Sequence, residues 1–307
     1  MNAGFITVNY NNAQHTENFV RSIEAAMAGE DFLIVVVDND SAPADQERLV
    51  AFCQDKARVR LLCGGGNIGY FKALNVGLAR LRQEMAHPDA VLVGNNDITV
   101  DTSFRTKLKT HLTLLQAQAV VSPDIVQENG EHQNPHLLGD VSHFRRLMWD
   151  VYHSSYWVGQ AVLAMARFSR RFTGRKDHHF HRERGPIAQG YGACYLIGPA
   201  FFRHYLGLWA PTLLMQEEYF LYRQLQEIGQ EMFYEPDIVV RHHGHASIGA
   251  VPSRKIWGIS RESHLVFRAF ESGVRSVTEF DNLRAEAPTR TPAPHKISSN
   301  TTNPIRS

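Results

Sequence analysis

Val91-Leu92-Val93-Gly94-Asn95-Asn96-Asp97 joins a short apolar run to two amides and a carboxylate. The apolar run predicts a buried strand, and ligands of open α/β sheets bind beyond the carboxyl ends of their strands. Hard cations such as Mg²⁺ and Mn²⁺ take oxygen ligands, commonly one or two carboxylates together with substrate phosphates. We therefore predict that Asp97 binds a divalent cation. The alternative is a capped turn before the next helix.

The same pattern of a strand with a polar end recurs through the first part of the chain. Strands are predicted at 4–8, 32–37, 58–62 and 90–93, and helices at 16–27, 45–53 and 71–82. This alternation predicts a parallel sheet covered by helices. Polar clusters follow all four strands, at 9–12, 38–41, 64–67 and 95–97. Because parallel strands end at one edge of a sheet, the clusters predict a single binding site.

Two of these clusters have residues suited to binding a nucleotide. Asp38 follows the second strand and can accept hydrogen bonds from a nucleobase or ribose, although an Asp here often only caps a helix. Glycines 64–66 let the backbone approach a ligand closely, and Lys72 can then reach a diphosphate. A plain flexible turn is the alternative. The segment lacks both the Gly-Lys-Ser/Thr ending of a P-loop and Gly-x-Gly-x-x-Gly spacing.

The second half of the chain has a weaker pattern. Strands are predicted at 119–122, 192–197 and 238–240, and helices at 102–116, from Pro199, and at 217–227. Residues 143–184 carry nine Lys or Arg against three acidic residues around an apolar stretch. Two interpretations stay open for them: a helix with a solvated basic face, or a surface that meets anionic lipid or a lipid-linked acceptor.

Bulk properties indicate a globular protein and exclude several classes. The net charge of +1 gives no reason to expect a nucleic-acid partner. Cys53, Cys63 and Cys194 are odd in number and widely spaced, which favours a reducing compartment, so we expect a cytoplasmic protein. We also expect no signal peptide or membrane-spanning segment, because no apolar run approaches ~18 residues. A Pro-, Thr- and Ser-rich tail at 285–307 is predicted to be disordered.

The polar strand ends, taken in order, resemble family 2 glycosyltransferases with the GT-A fold. The matching motifs are Asn9-Tyr10-Asn11, Asp38-Asn39-Asp40-Ser41, Asn67 through Gly77, and Asn95-Asn96-Asp97. The resemblance covers residues 4–125 and resumes at 190–247. It implies an α/β GT-A domain with a mainly parallel central sheet. Residues 1–125 would form the nucleotide-sugar-binding half, 126–189 an irregular basic insertion facing acceptor or membrane, and 190–284 the acceptor-binding half with the catalytic base.

The resemblance also implies which residues form the site. Gln216 to Arg223 resembles the segment that supplies the general base, so either Glu217 or Glu218 is expected to deprotonate the acceptor; counting back from Arg223 favours Glu217. Acidic residues that suit a helix dipole are the alternative. His242 matches the family's His-x-x-x-x-Ser and is expected to bind the metal or the diphosphate. The expected donor-binding residues are Asn9, Tyr10, Asn11, Asp38, Asn67, Gly69, Lys72, Asn75, Asn95 and Asn96.

A rival histidine cluster, formed by His178, His179 and His181, is interpreted as a solvated loop, because no carboxylate or cysteine frame accompanies it.

The function implied is inverting, rhamnosyltransferase-like transfer from a UDP-, dTDP- or GDP-sugar to an acceptor hydroxyl, with Mg²⁺ or Mn²⁺. The acceptor would be a saccharide or lipid-linked saccharide of bacterial surface polysaccharide or glycolipid synthesis, met at the inner membrane face. The oligomeric state stays open, a homodimer included. Two other classes remain: a sugar nucleotidyltransferase, and a catalytically idle nucleotide-sugar-binding module.

Overall fold

A computed structural model of the chain describes residues 1–139, 141–170, 180–244 and 253–273. The predicted tail at 285–307, together with His178, His179 and Ser247, lies outside the described residues. The first half contains β1 (Asn2–Asn9), α1 (Ala13–Ala26), β2 (Asp31–Asp38), α2 (Pro43–Cys53), β3 (Val59–Cys63), α3 (Tyr70–Glu84), β4 (Ala90–Asn95), β5 (Ile98–Thr99), α4 (Phe104–Thr110), α5 (Leu112–Ala117) and β6 (Val120–Gln127). The second half contains α6 (His143–Ser154), α7 (Tyr156–Arg170), β7 (Gly185–Ile187), β8 (Cys194–Ile197), α8 (Pro199–Phe202), α9 (Glu217–Glu227), β9 (Met232–His242) and α10 (Arg254–Glu271).

The strands form one mixed sheet in the order β3-β2-β1-β4-β8-β6-β9-β5, with β7 paired to β9. The first four strands are parallel, as predicted. The sheet then departs from the parallel expectation, because β8 runs antiparallel to both β4 and β6. Since β2 and β3 lie on one side of β1 and β4 on the other, the chain reverses direction across the sheet at β1. A crevice is expected at the carboxyl ends of β1 and β4.

Burial on both faces explains why these strands are continuous apolar runs. Successive side chains of β1 enter different cores: Phe5 packs in the same core as Phe19 of α1, and Ile6 packs in the core that contains Leu78 of α3. Helices α1 and α3 therefore cover opposite faces of the sheet. Gly77 of α3 lies so close to Ile6 that a Cβ at this position would overlap that side chain, so the glycine permits tight packing.

Strands β6 and β9 are longer than the sequence predicts. They pair in parallel, with a register shift between Pro123 and Asp124. Proline removes a ladder hydrogen bond and is tolerated at such irregular positions. The helix predicted at 102–116 is also divided, because α4 ends at Thr110 and α5 begins at Leu112.

Helices α6 and α7 lie in the segment 143–184, for which a helix is one of the two interpretations that the sequence leaves open. Helices α6 and α10 are joined by a hydrogen bond of 2.8 Å between His264 Nε2 and Asp150 Oδ1, and by an edge-on contact of Trp149 with Phe267. Within the described parts of the chain, no helix is both long and apolar enough to span a membrane.

Candidate active site

Asp97 and His242 form the centre of the site. The two-residue strand β5 pairs with the end of β9, with Ile98 opposite His242. This pairing places His242 Nε2 3.2 Å from Asp97 Oδ1. Both atoms are buried, and neither makes a hydrogen bond of good geometry to the residues that the structure describes. Both atoms can therefore still bind a ligand, and they lie close enough together to bind the same one.

Gln133 and Gly244 complete the surroundings of this pair. His242 Nδ1 lies 2.8 Å from Gln133 Oε1, an acceptor, so Nδ1 carries the proton and donates it. In neutral His242 the lone pair is then on Nε2, facing Asp97. A Cβ on Gly244 would lie 2.8 Å from His242 Nε2 and 3.1 Å from Asp97 Oδ2, so the glycine leaves space beside both ligand atoms. Sequence reasoning missed Gln133 and Gly244.

Asp97 is favoured in its charged form. Burial opposes ionisation of the carboxyl, but the positive charges that His242 and His15 carry when protonated outweigh burial and hold the pKa of Asp97 below its usual value. A partly buried carboxylate that stays charged is a suitable ligand for a hard cation.

Asn9 organises the crevice at the end of β1. It is fully buried, and its amide nitrogen donates to Asp38 Oδ1 at 3.0 Å and to Asp45 Oδ2 at 2.8 Å. Its amide oxygen accepts from Thr16 Oγ1 at 2.8 Å and from Asn96 Nδ2 at 3.2 Å. The side chains of Asn9 and Asn96 thus fasten the ends of β1, β2 and β4 together.

Other predicted donor-binding residues are similarly engaged by the protein. Asp38 is buried, and its second oxygen accepts from Gln46 at 3.1 Å. The Asn75 side chain exchanges two hydrogen bonds with the backbone of Leu208, at 2.8 and 2.7 Å. Asn67 Oδ1 accepts from Asn39 at 3.1 Å. These contacts give the residues scaffolding roles.

The remaining predicted donor-binding residues are available to a ligand to different degrees. Tyr10 is 52% exposed, and Lys72 and Asn11 are also exposed. Asn95 is half-buried at the end of β4. Gly69 has φ +96°, and a Cβ there would lie 2.5 Å from the Leu213 carbonyl oxygen, so only glycine fits.

Glu217 and Glu218 begin helix α9, but their environments differ. Glu217 is only 7% exposed, and its Oε1 finds no hydrogen-bond partner among the described residues. Burial, followed by the charge of Glu218, raises the pKa of Glu217 to about 8. Glu218 is half-buried, and its Oε1 accepts from the Gly192 backbone N–H at 3.2 Å.

Residues 191–193 connect the acidic pair to the Asp97 end of the sheet. The Tyr191 ring centroid lies 6.0 Å from that of His242. The next residue, Gly192, donates its N–H to Glu218, and the Ala193 carbonyl accepts from the Asn95 N–H at 2.9 Å. His242 and Glu218 therefore both lie against the short segment 191–193, which also pairs with the end of β4.

A second group of potential ligands lies elsewhere. His111, Glu235 and Asp237 are close enough together to hold a metal ion. Glu235 also lies 3.3 Å from Arg184, and Asp237 lies 4.0 Å from Lys107. The two cations already balance the carboxylates, so this cluster is adequately explained as an ion-pair network.

Comparisons with solved structures identify the fold. The chain superposes on S. aureus TarS 1–349 in complex with UDP-GlcNAc with a TM-score of 0.52 and 13% identity, covering 88% of this chain and 67% of that one. It superposes on GalNAc-T7 with UDP, GalNAc and Mn²⁺ with a TM-score of 0.51 and 12% identity, covering 92% of this chain and 54% of that one. The superposition on a mycobacterial protein has a TM-score of 0.50 and 13% identity, covering 90% of this chain and 76% of that one. No curated protein matches the sequence significantly.

The fold is the GT-A fold of glycosyltransferases, as the sequence resemblance implied. The model of Glycosyl transferase family 2 matches residues 5–170, more than half of the chain. The chain belongs to glycosyl transferase family 2 and is a glycosyltransferase enzyme.

Proposed function

We propose that the protein transfers a sugar, with inversion, from a nucleotide-diphosphate sugar to an acceptor hydroxyl. The observation that carries this proposal is the partly buried Asp97–His242 pair, which lies against the same segment, residues 191–193, as Glu218. An inverting transfer needs two functions in one cleft: stabilisation of the departing diphosphate, and a carboxylate that takes the acceptor proton.

The exposed residues of the cleft support a role in donor binding. Tyr10 follows β1 and offers an aromatic face for a nucleobase. Lys72, in the first turn of α3, offers a positive charge to a diphosphate. The donor base and sugar are left open among UDP-, dTDP- and GDP-sugars. TarS was solved with UDP-GlcNAc and GalNAc-T7 with UDP, which is consistent with a nucleotide-sugar donor here.

The Asp97–His242 pair fits a divalent cation. Neighbouring ligands on an octahedral ion at about 2.1 Å lie about 3 Å apart, close to the 3.2 Å between Asp97 Oδ1 and His242 Nε2. When bound, Mg²⁺ or Mn²⁺ supplies Lewis-acid stabilisation of the diphosphate leaving group. Asp97 and His242 hold the ion, Gln133 fixes the imidazole orientation, and Gly244 keeps the space open. Mn²⁺ is present in the GalNAc-T7 structure.

Gln133→Leu is expected to weaken Mn²⁺ binding by roughly 10–100-fold, because loss of the outer hydrogen bond frees the His242 ring to rotate and change tautomer. Binding would be measured by calorimetry, or by electron paramagnetic resonance of free Mn²⁺, in the presence of UDP. Gln133→Glu is the matched control: it still accepts from His242 Nδ1 and should bind Mn²⁺ at least as tightly as the wild type. If Gln133→Leu bound Mn²⁺ as tightly as the wild type, Gln133 would not be needed to orient the His242 ring.

We propose Glu218 as the general base. A base must be ionised and must reach the acceptor hydroxyl. Glu217, with a pKa of about 8 and 7% exposure, is mostly protonated at neutral pH and is poorly accessible. Glu218 is more exposed, and the Gly192 N–H holds one of its oxygens in place. The spacing from Arg223 predicts Glu217 as the base. Because Glu217 is buried and protonated, the structure favours Glu218 instead.

Glu217 should make stability depend on pH. Its pKa of about 8 in the folded protein lies above the ordinary 4.5, so the unfolded chain loses this proton first as pH rises. The stabilising contribution is complete below pH 4.5 and is lost as pH rises towards and through 8. Between pH 6 and 8 the wild type should lose about 2 kcal/mol of unfolding free energy more than Glu217→Gln. Urea unfolding at the two pH values measures the difference; parallel losses would contradict the buried, protonated state.

The acceptor is proposed to be a saccharide or lipid-linked saccharide of bacterial surface polysaccharide or glycolipid synthesis. The rival classes differ in what they release. A sugar nucleotidyltransferase would release pyrophosphate from a nucleoside triphosphate, and an idle binding module would bind the donor without turning it over.

A donor-hydrolysis screen tests the proposal. Purified protein is incubated with UDP-, GDP- and dTDP-sugars, with and without Mn²⁺ or Mg²⁺, and released nucleoside diphosphate is detected. Metal-dependent release from one donor supports the proposal and identifies the sugar. Calorimetry that shows donor binding with no release, even after saccharide acceptors are added, would select the idle module. The anomeric configuration of the product, read by NMR, tests inversion.

A further inference from the structure

Helix α6 exposes a stripe of large apolar side chains. Phe144 is 72% exposed, Leu147 58% and Val151 39%. Their spacing of three and four residues places them on one side of the helix. The opposite side of α6 is used in the fold, where Trp149 and His153 contact α10. The exposed stripe is therefore additional to the face that packs against the protein.

Helix α7 also exposes apolar side chains on the side away from α10, because its Gly159 lies against Trp257 of α10. Trp157 is 77% exposed and Met165 63%. All the exposed residues described on α7 are apolar and recur at helical spacing: Trp157, Val158, Ala161, Ala164 and Met165. Residues 151–166 include no Asp, Glu, Lys or Arg. Solvent-facing helix surfaces are normally polar, so two neighbouring helices that both expose large apolar side chains indicate an interaction site. We call the exposed residues of both helices the α6–α7 face.

The sequence immediately after this surface is strongly basic. Residues 167–176 contain Arg167, Arg170, Arg171, Arg175 and Lys176, with no acidic residue. An apolar helical face with an aromatic residue, followed by a cluster of cations, suits the boundary of an anionic bilayer, where apolar side chains insert and the cations meet lipid phosphates. A second copy of the chain would bring a second cluster of positive charges, and the two clusters would repel each other.

We propose that the α6–α7 face docks the enzyme onto an anionic lipid surface. The fold connects this face to the acceptor side of the cleft. Helix α10, which packs against α6, donates a hydrogen bond of 2.6 Å from Ser263 Oγ to the Leu214 carbonyl, three residues before Glu217. Through α10, docking would fix how the acidic start of α9 is oriented relative to the lipid surface. The relevance to a lipid-linked acceptor rests on the proposed function, but the docking does not.

Vesicle flotation tests the proposal. The protein is mixed with phosphatidylcholine vesicles that either contain or lack phosphatidylglycerol. The wild type should co-float with anionic vesicles and much less with neutral ones. Trp157→Glu combined with Met165→Glu should reduce co-flotation at least about tenfold, because two inserting side chains are lost. Val50→Glu is the matched control, since Val50 is 49% exposed on α2, and it should float like the wild type.

Three results would overturn lipid docking. The first is a wild type that does not bind anionic vesicles, and the second is a double variant that floats as well as the wild type. The third is a wild type that is dimeric by light scattering and a double variant that is monomeric, with neither protein floating. In that case a second copy of the chain would cover the face. Donor hydrolysis by the double variant should match the wild type. A wild type that floats but shows no transferase activity would refute the proposed function and leave docking intact.

Discussion

Asp97→Asn should lower kcat for sugar transfer by about a thousandfold at saturating donor and remove the dependence of the rate on Mn²⁺. The asparagine keeps the shape of the side chain but loses the charge that holds the cation, and metal stabilisation of a leaving group contributes several kcal/mol. Folding should be nearly unaffected, because Asp97 Oδ1 makes no hydrogen bond with the described residues. Initial rates over an Mn²⁺ titration, with thermal melts of both proteins, measure the two effects.

Asp101→Asn is the control for that experiment. Asp101 lies four residues further along and accepts hydrogen bonds from the Ser103 backbone and hydroxyl at 2.8 and 2.6 Å. Asparagine can accept both bonds, so this variant should keep wild-type turnover. If Asp97→Asn retained near-wild-type turnover without metal sensitivity, Asp97 would have no part in holding a metal, and the proposed mechanism would fail.

The first half of the fold follows from short-range pattern. Strands β1, β2 and β4 are buried on both faces, so each is an apolar run that ends at a polar turn. Helices α1 and α3 bury residues at helical spacing. Because parallel strands end at one edge, the sequence also predicts that Asn9, Asp38 and Asp97 come together. The hydrogen bond between Asn9 and Asp38 is consistent with this grouping.

The chemical roles of those polar residues are harder to predict. An Asn that holds two turns together and an Asn that binds a ligand can occupy the same position after a strand, so the sequence pattern does not distinguish the two roles. Asn75, for example, lies in the predicted donor motif, yet both ends of its amide bond the backbone of Leu208, far away in sequence. Only the tertiary contacts distinguish a scaffold from a ligand.

Residues brought together by long-range pairing were missed for a related reason. Gln133 lies in a segment without periodicity, and its partner His242 is 109 residues away. The two-residue strand β5 is too short to leave a pattern. Helix α10 was also not predicted, although it is amphipathic; its buried face combines Trp257 and Phe267 with Ser263 and His264, which bond to the Leu214 carbonyl and to Asp150. A helix at α7 is one of the interpretations of 143–184, but the exposed residues described on it are apolar rather than basic.

Glu218→Gln should reduce kcat by about 10²–10⁴-fold while leaving Mn²⁺ and donor affinities unchanged, because general-base catalysis contributes acceleration of this size. The substitution is well matched: a glutamine oxygen can still accept the Gly192 N–H bond of 3.2 Å, so the side chain stays in position and only the basic carboxylate is lost. Transfer rates at saturating donor and acceptor, with calorimetric titrations of UDP and Mn²⁺, separate turnover from binding.

Glu217→Gln gives the comparison that assigns the base. A carboxyl that is buried and protonated at neutral pH resembles the neutral amide that replaces it, so this variant should keep turnover within about tenfold of the wild type. If Glu217→Gln were instead inactive and Glu218→Gln active, the base would be Glu217, as its spacing from Arg223 predicted. If both variants turned over normally, neither carboxylate would take the acceptor proton, and the inverting mechanism would need a base from outside the first turn of α9.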